Sequence, residues 1–235
     1  MRCSPSYQGA VNDIFFLTNQ PDIVKDVYTY SKDKTLIPLH GTTRHTLLEI
    51  AEQFTHHRHE KQYAEGRTRA SVALILRELP GDLEILFIER ATDERDPWSG
   101  HLAFPGGKVE PGEQARQAAE RETQEEIGLD LGAERFLGRM SDIIGANLPV
   151  RVSCFAYGVV SAAVKPVVSP EVRDVFWVRL SDILRPELHQ IATVGFSGSS
   201  LKVPSIVLPR SDKPVLWGLT YRLVMQFLEI IGGRA

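Results

Sequence analysis

The stretch Gly107-Lys108-Val109-Glu110-Pro111-Gly112-Glu113, followed by Arg121-Glu122-Thr123-Gln124-Glu125-Glu126-Ile127-Gly128-Leu129, constrains this chain more than any other. Residues 113–127 are rich in Gln, Ala, Arg and Glu, are entered after Pro111-Gly112 and are closed by Gly128, which predicts a helix. On a helix turning about 100° per residue, Glu122 and Glu126 lie about 40° apart, with Glu125 about 60° to the other side of Glu122. Three carboxylates therefore share an arc of about 100°, where like charges repel and weaken an isolated helix. A solvated acidic face tolerates that crowding. The turn upstream favours another reading, because Gly106 and Gly107 let the backbone approach a ligand closely. Carboxylate oxygens together with substrate phosphates are the usual ligands of Mg²⁺, which keeps octahedral geometry and much of its water. The pattern points to a site for a divalent metal and a diphosphate.

Around this stretch the apolar pattern is mixed. Residues 43–65 read as a helix, with Leu47, Ile50, Ala51 and Phe54 at spacings of three and four and Thr43 or Thr46 as its cap. His56, His57 and His59 lie beyond that stripe among Arg58, Glu60 and Lys61, and a solvated polar face suits them better than a metal site. Residues 70–76 and 83–88 form two apolar runs across the turn Pro80-Gly81-Asp82, a hairpin pattern. Residues 136–144, 150–160 and 172–178 read as further strands, 191–194 and 201–207 as a late pair, and 217–231 as a closing helix. Hairpins interspersed with a few helices give an α+β class.

Composition removes several function classes. The chain has 235 residues, with 27 Lys+Arg against 30 Asp+Glu and a net charge of −3, so it lacks the basic excess of a general nucleic-acid binder. An apolar fraction of 43% sets it apart from disordered chains. The longest apolar runs fall far short of the ~20 residues that span a bilayer, and the N-terminus carries neither a signal-peptide nor a transit-peptide pattern. Cys3 and Cys154 form neither a disulfide framework nor a metal-binding spacing. The expectation is a soluble, cytoplasmic protein with free thiols and no membrane or nucleic-acid partner.

Residues 107–129 resemble the box of the Nudix hydrolase family: Gly, five residues, Glu, seven residues, Arg-Glu, an aliphatic residue, any residue, Glu-Glu, any residue, Gly, aliphatic. Gly107, Glu113, Arg121, Glu122, Glu125, Glu126 and Gly128 meet the fixed positions, and Thr123 stands where a bulky aliphatic residue is usual. The resemblance implies an α/β/α sandwich with a mixed sheet over residues 67–235, preceded by an extension, 1–66, with one helix. For residues 1–42 three readings stay open: a loosely attached extension, an arm for homodimerisation, or a misplaced start of the reading frame. The resemblance further implies hydrolysis of a nucleoside diphosphate linked to another moiety. Glu122, Glu125 and Glu126, with the Gly107 carbonyl, would bind Mg²⁺ or Mn²⁺. Arg121 and Glu113 would hold loop and helix in register. Glu122 and Glu171 are the candidate general bases, Glu171 because it precedes the strand containing Val175-Phe176-Trp177.

Upstream of the box, Arg90, Ala91, Arg95, Gly100, Phe104, Pro105, Gly106 and Gly107 resemble the signature of coenzyme A diphosphatases. Four residues, Asp96-Pro97-Trp98-Ser99, separate Arg95 from Gly100 where that group has three, and Ile88 replaces a Thr. The opening of the last helix, Val215-Leu216-Trp217-Gly218-Leu219-Thr220, is similar to that group as well. The resemblance implies cleavage of coenzyme A or acyl-CoA to 3′,5′-ADP and a 4′-phosphopantetheine. Arg90, Arg95 and Phe104 are the candidate substrate contacts, the two arginines for a 3′-phosphate, since guanidinium binds phosphate bidentately. The alternatives are a hydrolase of ADP-ribose, NADH or other dinucleotides, and a Nudix module that senses a nucleotide without cleaving it.

Overall fold

The two apolar runs that flank Pro80-Gly81 are nearly continuous instead of alternating, which marks strands covered on both faces. The computed structural model of the protein describes residues 28–30, 36–38, 45–62, 66–93, 98–145, 149–159, 168–196 and 198–232. In chain order, a two-stranded antiparallel pair, β1 (Tyr28–Tyr30) and β2 (Leu36–Pro38), precedes helix α1 (Leu47–His56). The central hairpin is β3 (Thr68–Leu79) and β4 (Asp82–Arg90), in the register Leu76↔Ile85 and Leu79↔Asp82. Short strands β5 (Leu102–Ala103) and β6 (Gly106–Lys108) lead to helix α2 (Ala115–Ile127). Then come β7 (Arg135–Arg139), β8 (Ile143–Ile144), β9 (Val150–Val159), β10 (Val172–Arg179) and a single turn, α3 (Leu180–Ile183). Strands β11 (His189–Phe196), β12 (Ser199–Ile206) and β13 (Leu216–Trp217) form a separate antiparallel sheet that feeds helix α4 (Gly218–Ile231).

The main sheet runs β10-β4-β3-β9-β7, with β5 on β4, β6 on β3 and β8 on β9. It is mixed: β3 and β9 are parallel, from Thr68↔Val150 to Arg77↔Val159, and the other pairs are antiparallel. Side chains alternate across it. Leu74, Leu76, Ile85 and Phe87 bury on one face with α1 and α4, whereas Ala73, Ile75, Leu86 and Ile88 bury on the other with Ala119 and Ile127 of α2. Helices on both faces of one sheet make the α/β/α sandwich, in the α+β class.

Helix α1 is shorter than the 43–65 periodicity predicts. Thr46 caps it, its hydroxyl accepting from Glu49 N–H while the Glu49 carboxylate accepts from Thr46 N–H, a reciprocal box. Its stripe of Leu47, Ile50 and Phe54 joins the same buried cluster as β3 and β4. It stops at His56 because the polar run that follows serves other partners: Glu60 and Gln62 bond through their backbones to Ser141, Asp142 and Arg151. The predicted strand 136–144 is likewise interrupted, since Asp142 turns inward and accepts from Arg139 and Ser153.

Helix α1 lies close to the sheet because Gly138 and Gly158 leave room for Phe54 and Leu47. A Cβ at Gly138 would stand 2.5 Å from Phe54 Cγ. Gly138→Ala is therefore expected to destabilise the protein by about 1–3 kcal/mol through overpacking, seen as a lower urea midpoint with an unchanged m-value.

Candidate functional site

The site is built where β5 and β6 cross the ends of β4 and β3. Ala103 pairs with Ile88, Gly107 with Ser71 and Gly106 with Val72, and Ala73 N–H donates to the Pro105 carbonyl at 2.8 Å. The two glycines do different work. Gly106 has φ +149° and lies so close to β3 that a Cβ would overlap the Ser71 carbonyl. At Gly107 a Cβ would overlap the carboxyl group of Glu122, so this backbone is in direct reach of a helix acid.

A turn at Pro111-Gly112 then enters α2. Arg121 ties the turn to the helix: Nε and Nη2 donate to the two oxygens of Glu113 at 2.9 and 3.1 Å, and Nη2 also donates to the Lys108 carbonyl at 3.1 Å. Nη1 donates to Glu122 Oε1 and Glu125 Oε2, both at 3.0 Å. Thr123 is fully buried, and its hydroxyl donates to the Ala119 carbonyl at 2.7 Å, which answers its polar group where an aliphatic one is usual. The helix ends on Gly128 in the left-handed region, φ +70°. From there Ser169 N–H donates to the Glu126 carbonyl, and Ala91 N–H to the Glu171 carbonyl, which brings the 168–171 loop beside the end of β4.

Glu126 is 4% exposed and accepts from Gly106 N–H at 2.8 Å. Burial pushes its carboxyl up to about 7; the Gly106 N–H and the Arg90 charge oppose that, while Glu122 and Glu171 add to it. Glu122 is also raised, first by burial and then by Glu125 and Glu171, against the pull of Arg121. Glu113 is lowered, chiefly by its bonds from Arg121. The charges of Glu122, Glu126 and Glu171, from two elements, thus bear on one another, with the Arg90 charge felt at Glu126. Their donors are all hard oxygens, and a helix acid lies directly over the Gly107 backbone. These residues fit a hard divalent cation. Among the described residues no three acid, imidazole or thiol groups already converge as a cage: the positive partner of Glu122 and Glu125 is the Arg121 guanidinium.

The NUDIX domain profile matches residues 67–194, more than half of the chain. The chain belongs to the Nudix family. It is a Nudix hydrolase, acting on pyrophosphate bonds. It is 24% identical over 224 residues to a probable nudix hydrolase, C6G9.05, of Schizosaccharomyces pombe, covering 95% of this chain and 69% of that protein. Nudix hydrolase 3 of Caenorhabditis elegans is 26% identical over 183 residues, covering 72% of this chain and 75% of that protein. Among solved structures, a binary complex of the C. elegans Ap4A hydrolase matches with a TM-score of 0.42 and 24% identity, over 51% of this chain and 85% of that chain.

Within this Nudix domain the expected substrate contacts separate. Arg90 faces Glu126. Arg95 lies outside the described residues. Phe104 is corrected: it is 2% exposed and stacks on Phe87 at 5.3 Å between ring centroids, a core side chain with no surface to offer a ligand. Two clusters are assembled only by the fold. Glu89 is buried and paired to Arg173 and Lys213, each at 2.9 Å, which fixes the rim of β4 next to Arg90. His101 meets Trp217 edge-on at 4.8 Å, with Phe196 5.7 Å from Trp217, and its carbonyl accepts from Arg90 N–H. In the sequence, the Glu that follows the apolar run at 86–88 and the aromatic opening of α4 hint at them.

The raised Glu126 makes stability depend on pH. Its carboxyl titrates at about 7 in the fold against 4.5 ordinarily, so the unfolded chain loses its proton first. Stability from this group is whole below about pH 4.5 and is lost as pH rises to about 7. In metal-chelated protein at pH 8, Glu126→Gln is expected to raise stability by roughly 2–3 kcal/mol and to do nothing at pH 4, as read by thermal scans at both values.

Proposed function

We propose that this Nudix hydrolase is a Mg²⁺- or Mn²⁺-dependent pyrophosphohydrolase of coenzyme A or acyl-CoA, releasing 3′,5′-ADP and (acyl-)4′-phosphopantetheine. The observation that carries the chemistry is that two acids of α2 meet the β6 backbone, Glu126 accepting from Gly106 N–H and the Glu122 carboxyl lying against Gly107, with the charge of Glu171 felt at both. Glu122, Glu125, Glu126 and the Gly107 carbonyl would hold the metal. When bound, it neutralises the diphosphate and lowers the pKa of a coordinated water. Glu171, exposed on its loop, or Glu122 would take that water's proton. Arg90 neutralises charge next to Glu126, which suits a diphosphate oxygen better than a remote phosphomonoester. The His101–Trp217–Phe196 cluster, joined to Arg90 through the His101 carbonyl, supplies aromatic surface for a base.

Support for coenzyme A rests on the signature residues around Arg90 and 104–107 and on the Trp217-Gly218 opening of α4. The second reading, hydrolysis of ADP-ribose, NADH or another dinucleotide, would be served equally by Arg90 if it addresses the diphosphate that all these substrates share. A cytoplasmic setting accords with Cys154, a buried free thiol pushed up to about 12 by desolvation, and no helix among the described residues is long and apolar enough to cross a membrane.

Turnover of coenzyme A, dephospho-coenzyme A, ADP-ribose and NADH with Mg²⁺ or Mn²⁺, with products read by mass, tests the substrate. Coenzyme A is expected to give the highest kcat/KM, and equal rates without the 3′-phosphate would sink the assignment. Glu125→Gln should lower kcat by about a hundredfold or more, as should chelation of the metal. Full activity in Glu125→Gln would remove that residue from the metal site.

A further inference from the structure

A second charged site lies on the same face of the sheet, at the opposite end of α2. Because β3 and β9 are parallel and in register, Arg69 pairs with Arg151 and Ser71 with Ser153. On the next strand, β7, Arg139 is the register partner of Phe155. Three neighbouring strands therefore each place an arginine at one end of the sheet. Arg116 from the first turn of α2 and Lys61 from the segment after α1 close over them, and the result is a cleft of about 380 Å³.

Five cations line this cleft against two acids, and both acids are already taken. Asp142 is buried and accepts from Arg139 at 2.7 Å, from Ser153 at 2.8 Å and from Gln62 N–H, with Arg151 at 3.9 Å. Glu113 is held by the Arg121 fork. Arg116 is itself paired with Glu120 and bonds to the Tyr157 hydroxyl, so the excess of positive charge in the cleft rests on Lys61, Arg69 and Arg151. One donor of a lining residue is unanswered: Arg139 Nε is buried with no hydrogen-bond partner. Buried polar groups are nearly always paired, and like charges gathered in a concave site call for a counter-charge. The first turn of α2 adds the positive end of its dipole and contains no acid.

We propose that this cleft binds a small phosphate-bearing anion, at a site separate from the metal-binding carboxylates. Its lining shares Glu113 with the Nudix loop but includes none of Glu122, Glu125, Glu126, Glu171 or Arg90. From Arg116 to Glu122 and Glu126 is about 9–15 Å along the helix, so one diphosphate does not bridge both places. The volume suits a di- or triphosphate or a nucleotide's phosphate end. Two sources share that chemistry: a free phosphorylated anion, and a phosphomonoester at the far end of the substrate.

The test uses inorganic tripolyphosphate in EDTA at low ionic strength, followed by titration calorimetry, so no turnover and no metal is involved. The wild type should bind one equivalent. The double variant Lys61→Gln/Arg69→Gln, which changes two exposed side chains, should bind about tenfold or more weakly. Glu122→Gln and Arg90→Gln should keep the wild-type affinity. Unchanged binding in the double variant, or loss of binding in Arg90→Gln, would overturn the proposal. Kinetics with the double variant separate the sources. A KM raised only for substrates that carry a distal phosphomonoester identifies the substrate's own phosphate. A wild-type rate that responds to added phosphate, with no response in the variant, identifies a free anion.

Discussion

The Arg121 guanidinium organises the acidic helix. Its bonds run to one loop and one helix: two to Glu113, one to the Lys108 carbonyl, and one each to Glu122 and Glu125. A lysine has no planar fork with which to reproduce this set. Without it, the turn at Pro111-Gly112 loses its tie to α2 and the acids of one helical arc repel one another unopposed. The same bonds explain why Glu122 and Glu125 lean toward the guanidinium here. The cation that makes their crowding tolerable is internal.

Small residues set the depth at which those acids sit. Ala118, Ala119 and Thr123 are fully buried, so α2 lies close to β3 and Glu126 is carried under the β6 backbone. A bulky residue at 123 would fill the space by itself, whereas Thr123 fills it with a methyl and returns its hydroxyl to the helix. Burial of Glu126 and the glycines at 106 and 107 are thus one arrangement, since a backbone that carries no Cβ is what admits both the helix acid and β3.

Local rules made much of this readable. The spacing of Glu122, Glu125 and Glu126, the turn at Gly112 and the stop at Gly128 depend on neighbours a few residues away, and the helix forms at 115–127 as its propensities require. Phe104 is a candidate substrate contact only through its place in the coenzyme A signature; what places it in the core is stacking on Phe87, a residue of another strand. The predicted extent of α1 failed at His57 for a related reason, since the bonds that straighten 57–62 come from Asp142 and Arg151. Glu89 finds Lys213 across 124 residues, and Arg69 meets Arg151 only through the parallel register. Neither pairing leaves a periodic trace.

That parallel register has a consequence for the order in which the molecule assembles. A hairpin such as β3–β4 closes through a two-residue turn, but β9 can join β3 only after residues 80–149 have returned, and that loop contains the whole acidic helix. Long closures are slow because chain entropy is lost before the contacts are gained. The loop–helix unit must therefore be compatible with a half-built sheet before β9 covers its flank. During that interval α2 has to tolerate its own charge, and Arg121, eight residues from Glu113, is near enough in the chain to help from the start.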